Sequence, residues 1–363
     1  MKGGKVKIVS IVGARPQFIK CAPVSKESRK DHKEIIVHTG QHYDYELSKS
    51  FFEDLNIPKP DYNIGIGSGS HGRQTGEMLI EIEKILFYEK PDFVLVYGDT
   101  NSTLAGALAA TKLHIPLGHV EAGLRSFDRS MPEEINRVIS DHTSDILFVP
   151  TDTGVKNLQK EGIAKGVYNV GDVMYDALLD NISIARKKTD ILKKFGLKEK
   201  EYLLATIHRP SNTDNKKNLS SILKAFSEIN RKIIFPIHPR TGKFIEKHGL
   251  KEKIGKNILI IKPLGYLDFI TLEKNAYKIL TDSGGIQKEA YMLKIPCITM
   301  RENTEWVETV KGGWNILVGA NKQKIIDAIN NFFPTRKQKE YFGNGNASSK
   351  IKEILDKFEK TIS

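Results

Sequence analysis

Cysteine is nearly missing from this sequence: of 363 residues only Cys21 and Cys297 are cysteines, and they form no CxxC pair. That excludes a disulfide framework and a cysteine-built zinc site, and a reducing compartment is expected. Long apolar runs are missing too. Nothing approaches the roughly 18 residues of a membrane-spanning helix, so no membrane partner is expected. No charged-then-apolar leader precedes the strand-like run 6–12, and the expected location is cytoplasmic. Repeats and low-complexity tracts are absent. Negative charge is the minority: 44 Asp and Glu stand against 56 Lys and Arg, a formal net charge of +12. That balance suits an anionic ligand. Nucleic acid is not expected, because the lysines are scattered over amphipathic segments such as 187–200 and 350–360, without a basic stripe interleaved with aromatics. His38, His42, His114, His119 and His142 lack metal-ligand spacing, so no metal is expected. His42 and His119 read as groups that support a site from behind, the others as structural.

What is present is alternation. Short β-rich runs at 6–12, 34–39, 92–97, 116–120 and 146–149 are separated by longer amphipathic stretches. This is the pattern of parallel strands joined by crossover helices. The stretch 74–88 places Met78, Leu79, Ile82, Ile85 and Leu86 on one helical face, as a helix covering a sheet requires. A second series follows at 202–207, 232–237, 258–261, 277–281, 297–300 and 316–318. The charged segment 185–201 between the series reads as the junction. The length itself favours two domains. The expected fold class is α/β, with two Rossmann-like doubly wound domains facing across a cleft. Their spans are 1–175 and 176–345, and a C-terminal helix in 346–363 packs back on the first domain.

Asp282-Ser283-Gly284-Gly285 ends an apolar run and precedes the helical stretch 286–293. A strand that breaks into Ser-Gly-Gly and turns into a helix offers an anion bare N–H groups, a hydroxyl donor and the positive end of the helix dipole. That is a phosphate seat, and Glu289, one turn on, is placed to accept hydrogen bonds from ribose hydroxyls. A nucleotide is the first ligand to consider. In the other half, polar clusters stand at carboxyl ends of strands: Gly13-Ala14-Arg15-Pro16 with Lys20 one turn later, Gly98-Asp99-Thr100-Asn101, and Glu121-Ala122-Gly123. Ligands of doubly wound folds bind at such ends. Strand 203–207 likewise ends in His208-Arg209, and Met131 to Arg137 starts a helix carrying Glu133 and Arg137 on one face. An ordinary ion pair is the plain alternative for those two. Three carboxylates in one half and a phosphate seat in the other suggest acid–base chemistry on a phosphorylated ligand. Gly67-Ser68-Gly69-Ser70-His71-Gly72 fits GxGxxG. A nicotinamide site is rejected, because the preceding stretch carries Pro58 and Pro60 and makes at best a short strand, and Asp92 opens the next strand instead of ending it. These glycines read as a loop over the cleft.

Taken in order, Gly13-Ala14-Arg15-Pro16 with Lys20, Gly98-Asp99-Thr100, His119-Val120-Glu121-Ala122-Gly123-Leu124-Arg125, Pro132-Glu133-Glu134 with Asn136-Arg137, His208-Arg209 and Asp282 to Gln287 closely resemble the non-hydrolysing UDP-N-acetylglucosamine 2-epimerase family. The resemblance covers nearly the whole chain. It implies the GT-B arrangement of two Rossmann-like domains, a homodimer, a UDP-sugar substrate, and neither metal nor nicotinamide cofactor. By resemblance Asp99, Glu121 and Glu133 are the acid–base candidates, with Lys20 and Arg137 adding positive charge or orienting them. Arg15, His208, Ser283 and the Gly284 and Gly285 amides would stabilise a departing diphosphate. Glu289 would hold the ribose, and Phe269 matches the position that stacks on uracil, with a core aromatic as its plain alternative.

Departures from the usual pattern narrow the substrate. Ala14, Gln17, Tyr43-Asp44-Tyr45, Pro210-Ser211 and Trp306-Val307 replace residues typical of members acting on UDP-N-acetylglucosamine. With Gln287-Lys288-Glu289-Ala290, they resemble the branch that epimerises UDP-2,3-diacetamido-2,3-dideoxyglucuronate to its manno isomer, in surface polysaccharide or glycan precursor synthesis. A uronate would need a cation, for which Arg73, Arg125 and Arg129 are available. UDP-N-acetylglucosamine is the alternative substrate. A GT-B glycosyltransferase, a hydrolysing epimerase and a non-catalytic UDP-sugar sensor are the rival classes.

Overall fold

The apolar runs of both halves become parallel strands in the computed structural model, which describes residues 5–41 and 58–357. The chain divides into two units, Met1–Asp180 with Glu340–Ser363, and Asn181–Lys339. Unit 1 contains β1 (Lys7–Val12), β2 (Lys33–His38), β3 (Tyr62–Asn63), β4 (Phe93–Tyr97), β5 (Leu117–Val120), β6 (Ile146–Val149) and β7 (Val167–Asn169), in the order β3-β2-β1-β4-β5-β6-β7. Every ladder is parallel. Such strands are covered on both faces, which is why they read as apolar runs with little alternation.

Val9, Ile11, Ile35, Val37, Val94 and Val96 meet Met78, Ile82 and Leu86 of the helix His71–Glu89 in one core. The stripe expected on that helix is the buried one, apart from a half-buried Leu79. The helix starts three residues earlier than its apolar period suggests, because His71 to Arg73 add a polar first turn. A second helix, Asn101–Lys112, carries Ala105 and Ala109 onto the same core. Its Gly106 allows the close approach: a Cβ there would lie 2.7 Å from Ile11 Cδ1. Two strands have weak sequence signals. β3 is the two-residue remnant of the proline-containing stretch. β7 has two of its three residues exposed and so shows no readable alternation.

Unit 2 contains β8 (Leu203–Thr206), β9 (Ile233–Pro236), β10 (Ile258–Ile261), β11 (Lys278–Thr281), β12 (Cys297–Thr299) and β13 (Asn315–Leu317), ordered β10-β9-β8-β11-β12-β13 and again parallel. Successive side chains point to opposite faces. Leu203, Ile233, Leu280 and Ile298 accordingly enter one core, and Leu204, Ile234, Ile279 and Cys297 the other. Helix Ala347–Asp356 belongs to unit 1. Asp176 accepts the N–H groups of Ala347 and Ser348 at 3.1 and 2.8 Å, and Lys352 pairs with Asp31 at 2.6 Å.

Each unit is doubly wound and Rossmann-like. In each, the strand order reverses beside the first strand, between β1 and β4 in unit 1 and between β8 and β11 in unit 2. Loops leaving these strand pairs diverge to opposite faces and leave a crevice at their carboxyl ends.

Candidate active site

The polar clusters lie at those reversal points. In unit 1 the β1 loop is fixed by Gln17, whose Oε1 accepts the N–H groups of Gly13 and Ala14 at 2.8 and 3.0 Å while Nε2 donates to the Tyr97 carbonyl at 2.7 Å. One side chain thus ties the β1 loop to the end of β4. Arg15 stands exposed at the start of helix Arg15–Ser28, and Lys20, one turn on, forms an ion pair with Glu121 in which both side chains are largely buried. Glu121 has φ +73°, a left-handed conformation that costs a non-glycine residue about 1–3 kcal/mol. Gly98 is also left-handed at φ +65°, and a Cβ there would lie 3.3 Å from Lys20 Nζ and 3.5 Å from Glu121 Oε2. The Lys20–Glu121 pair therefore packs against the bend that presents Asp99.

Arg137 Nη2 lies 2.5 Å from Asp99 Oδ2, and Nη1 lies 2.9 Å from Glu134 Oε2. The plain alternative of a Glu133–Arg137 helix pair is therefore not the pairing adopted. Glu133 is exposed on the first turn of helix Pro132–Thr143, whereas Glu134 is buried. Glu134 accepts from the Ser126 N–H and hydroxyl, each at 2.8 Å, and from the Phe127 N–H at 2.9 Å. Burial alone would raise its carboxyl, but these donors and Arg137 outweigh it and hold the group below the ordinary carboxylate range. Asn136 donates to the Asp99 carbonyl at 2.9 Å. The structure thus brings Lys20, Glu121, Asp99 and Arg137 to adjoining strand ends of unit 1.

In unit 2 the organiser is Asp282, fully buried at the end of β11. It accepts the N–H groups of His208 and Arg209 at 3.0 Å each and the Asn212 amide at 3.0 Å, so it shapes the β8 loop opposite. Burial lowers the His208 imidazole below its usual value, the Asp282 carboxylate works against that, and His238 and Arg209 add to the lowering. Ser283 is the N-cap residue of helix Gly284–Met292, but its hydroxyl makes no capping bond. Gly284 is buried, and a Cβ there would strike the Glu305 carboxylate and come within 3.4 Å of Trp306 Nε1. Gly285 is exposed. An uncapped helix start with a hydroxyl beside it is the donor set an anion needs.

Glu289 is buried and accepts from the Tyr266 hydroxyl at 3.0 Å. Burial pushes its carboxyl up. The neighbouring Glu273, wholly buried and beside this second carboxyl, is pushed up as well. Phe269 packs partly buried against the core that contains Tyr202 and Leu272. Of the cations available to a uronate, Arg125 is committed: its buried guanidinium lies 2.6 Å from Asp141 and 2.7 Å from Glu161. Arg73 is exposed and pairs with Glu77 at 2.7 Å, and Arg129 is exposed. His42 to Tyr45 lie outside the described residues. Among the described residues no group of three or more His, Cys, Asp or Glu is placed to hold a metal ion, and no helix is long and apolar enough to cross a membrane. Glu134, Asn136 and Asp282 stood in the motifs of the sequence without an assigned role, and Asp141 stood in none, because their partners lie in other loops. Gln17 stood out only as a substitution.

The sequence model of the family described as UDP-N-acetylglucosamine 2-epimerase matches residues 25–356. A Methanococcus maripaludis protein called a UDP-N-acetylglucosamine 2-epimerase homolog is 63% identical over 354 residues, covering 96% of this chain and 99% of its own. The UDP-2,3-diacetamido-2,3-dideoxy-D-glucuronate 2-epimerase of Pseudomonas aeruginosa is 49% identical, covering 97% of this chain and all of its own. The crystal structure of Methanocaldococcus jannaschii UDP-GlcNAc 2-epimerase in complex with UDP-GlcNAc and UDP is 50% identical, with a TM-score of 0.80 over 97% of this chain and 99% of that one.

Proposed function

The chain belongs to the UDP-N-acetylglucosamine 2-epimerase family, and from that premise we propose that it inverts C2 of a UDP-2-acetamido sugar by elimination and re-addition of UDP. The enzyme is an isomerase, a nucleotide-sugar 2-epimerase. The C2 hydrogen has no adjacent carbonyl, so simple deprotonation is far uphill. Elimination avoids that: a carboxylate takes the C2 proton as the C1–O bond to UDP breaks, giving a 2-acetamidoglycal and UDP. A second group then delivers a proton to the other face of C2 while UDP re-adds at C1. In this reading Asp99, Glu121 and Glu133 supply the proton-transfer groups. Lys20 and Arg137 hold Glu121 and Asp99 in place. Arg15, His208, Ser283 and the Gly284 and Gly285 amides carry the charge of the departing diphosphate, Glu289 meets the ribose and Phe269 the uracil.

The observation that carries the reading is the pair of clamped carboxylates, Asp99 on Arg137 and Glu121 on Lys20, at the carboxyl ends of β4 and β5. A glycosyltransferase would need the phosphate seat but not these two. The proposed substrate is UDP-2,3-diacetamido-2,3-dideoxyglucuronate. Supporting it, Lys288 lies with Nζ 4.3 Å from the Trp306 ring centroid, and Trp306 borders Gly284. One of the substitutions and a residue of the Gln287–Ala290 run, both part of the resemblance to that branch, thus form one contact beside the phosphate seat. With Arg125 committed, Arg73 or Arg129 is left to meet the uronate. UDP-N-acetylglucosamine is the second substrate to test, since a 50% identical relative is solved with UDP-GlcNAc and UDP. Each nucleotide sugar is incubated with the enzyme in deuterated water. The expected result is the manno epimer of the diacetamido uronate with deuterium at C2. Turnover of UDP-N-acetylglucosamine alone would reassign the substrate, and release of free sugar would overturn the non-hydrolysing route.

A further inference from the structure

His119 stands in β5, wholly buried, two residues before Glu121. Its Nδ1 lies 2.7 Å from Asp141 Oδ1 and its Nε2 2.6 Å from the Gly98 carbonyl oxygen. Both distances are those of hydrogen bonds, and both partners are acceptors. A backbone carbonyl has no proton to give. Asp141 stays ionised: its Oδ2 accepts the Gly123 N–H at 3.0 Å and Arg125 Nη1 at 2.6 Å. Burial works to protonate it, but His119 and Arg125 outweigh burial and hold it below the usual range. A neutral imidazole carries one N–H and one lone pair. One of the two contacts would then set lone pair against lone pair inside a dry core.

We propose that His119 is a buried imidazolium whose Nε2–H bond to the Gly98 carbonyl fixes the left-handed bend presenting Asp99. This makes it a positioning residue for the proton transfer, and that role rests on the function assigned above. The charge is accommodated locally. His119 and Arg125 face Asp141, Arg125 also pairs with Glu161, and His142 reaches Glu161 at 3.1 Å from the exposed side. The two buried cations thus meet two carboxylates. On its far side the Gly98 bend touches the Lys20–Glu121 pair, and Asn136 grips the Asp99 carbonyl. His119 is therefore the support beneath a bend that both clamped carboxylates adjoin.

The test uses the full chain with ¹⁵N-labelled histidine, the His119 signals being identified by their loss in His119→Gln. The expected spectrum at about pH 7 has both His119 ring nitrogens protonated. A neutral-tautomer pattern at about pH 7 overturns the proposal, whatever the activity. The kinetic arm separates the two bonds. His119→Gln keeps a donor near the Nε2 position facing Gly98, and His119→Asn keeps one near Nδ1 facing Asp141. Loss of the Gly98 bond should lower kcat of the Asn variant about ten- to hundredfold, with KM little changed and the Gln variant retaining more. Equal kcat in wild type and both variants overturns the positioning role. Should the Asn variant fail to fold, Asp141→Asn, which removes one need for the second proton, is expected to convert the ring to a neutral tautomer. An imidazolium that survives in it overturns the argument from acceptors. Wild-type enzyme inactive on both UDP-sugars would sink the functional reading and the positioning role with it, while the ring spectrum still decides the charge.

Discussion

Arg137 reaches back 38 residues to place Nη2 2.5 Å from Asp99 Oδ2, and passes over Glu133, its neighbour one helical turn away. A helix pair of that spacing is worth only a few tenths of a kcal/mol. The pairing adopted instead joins the start of helix Pro132–Thr143 to the end of β4, where it orients a carboxylate at the strand reversal. Asp99→Asn and Glu121→Gln should each cost about 10²–10⁴ in the rate of epimerisation. UDP affinity, proposed to rest on Arg15 and unit 2 and not on these carboxylates, should be retained. NMR assay of the epimer and calorimetry with UDP measure the two quantities, and a parallel loss of both would remove the proposed division of labour.

Ser283 spends no hydrogen bond on its own helix. Ser283→Ala should therefore leave the melting temperature unchanged but weaken UDP binding about tenfold, the worth of one charge-assisted bond. A variant that melts earlier and binds normally would show a structural role instead.

His208 is held below its ordinary value first by burial, against the pull of Asp282. A bound diphosphate favours the imidazolium, so UDP binding near about pH 6.5 should take up part of a proton from solution. Calorimetry in two buffers of different ionisation enthalpy reads that uptake. His208→Asn should abolish it, and uptake that persists in the variant would assign the proton to another group.

Lys278 is buried in β11, with Nζ 2.6 Å from the Ile329 carbonyl and 3.9 Å from the Phe333 ring centroid. Burial first, and then Arg231, lowers it to about 8. With the folded value below the unfolded one of about 10.4, the native state prefers the neutral amine. Stability linked to this group is therefore present above about pH 10 and is lost as pH falls toward 8. Urea unfolding of wild type and Lys278→Met should show a difference that grows in favour of wild type from pH 8 to about pH 10 and is constant below. A flat difference across that window would mean that the amine reaches solvent.

By the family resemblance, the departures at Tyr43-Asp44-Tyr45, Pro210-Ser211 and Trp306-Val307 put in doubt the activation by a second substrate molecule known in parts of that family. Initial rates should follow a simple hyperbola in substrate. A sigmoidal curve would restore a second site.

Much of this molecule is written in local pattern. Parallel strands buried on both faces leave apolar runs, crossover helices leave an apolar stripe, and a strand that breaks into Ser283-Gly284-Gly285 leaves glycines at a helix start. These features need only neighbours in sequence, so most strands of the two sheets and the polar clusters at their carboxyl ends could be read from the chain, while the strand order and its reversal points could not. The choice of partners could not. Glu134 is buried while Glu133 is exposed, Asp282 organises the β8 loop, and His119 lies between two acceptors, because strand register brings together loops far apart in sequence. Charge pairing in a buried site depends on which donors meet which acceptors in space. Only the packed sheet fixes that, and so only the tertiary structure decided which carboxylates are clamped and which cation stands beneath them.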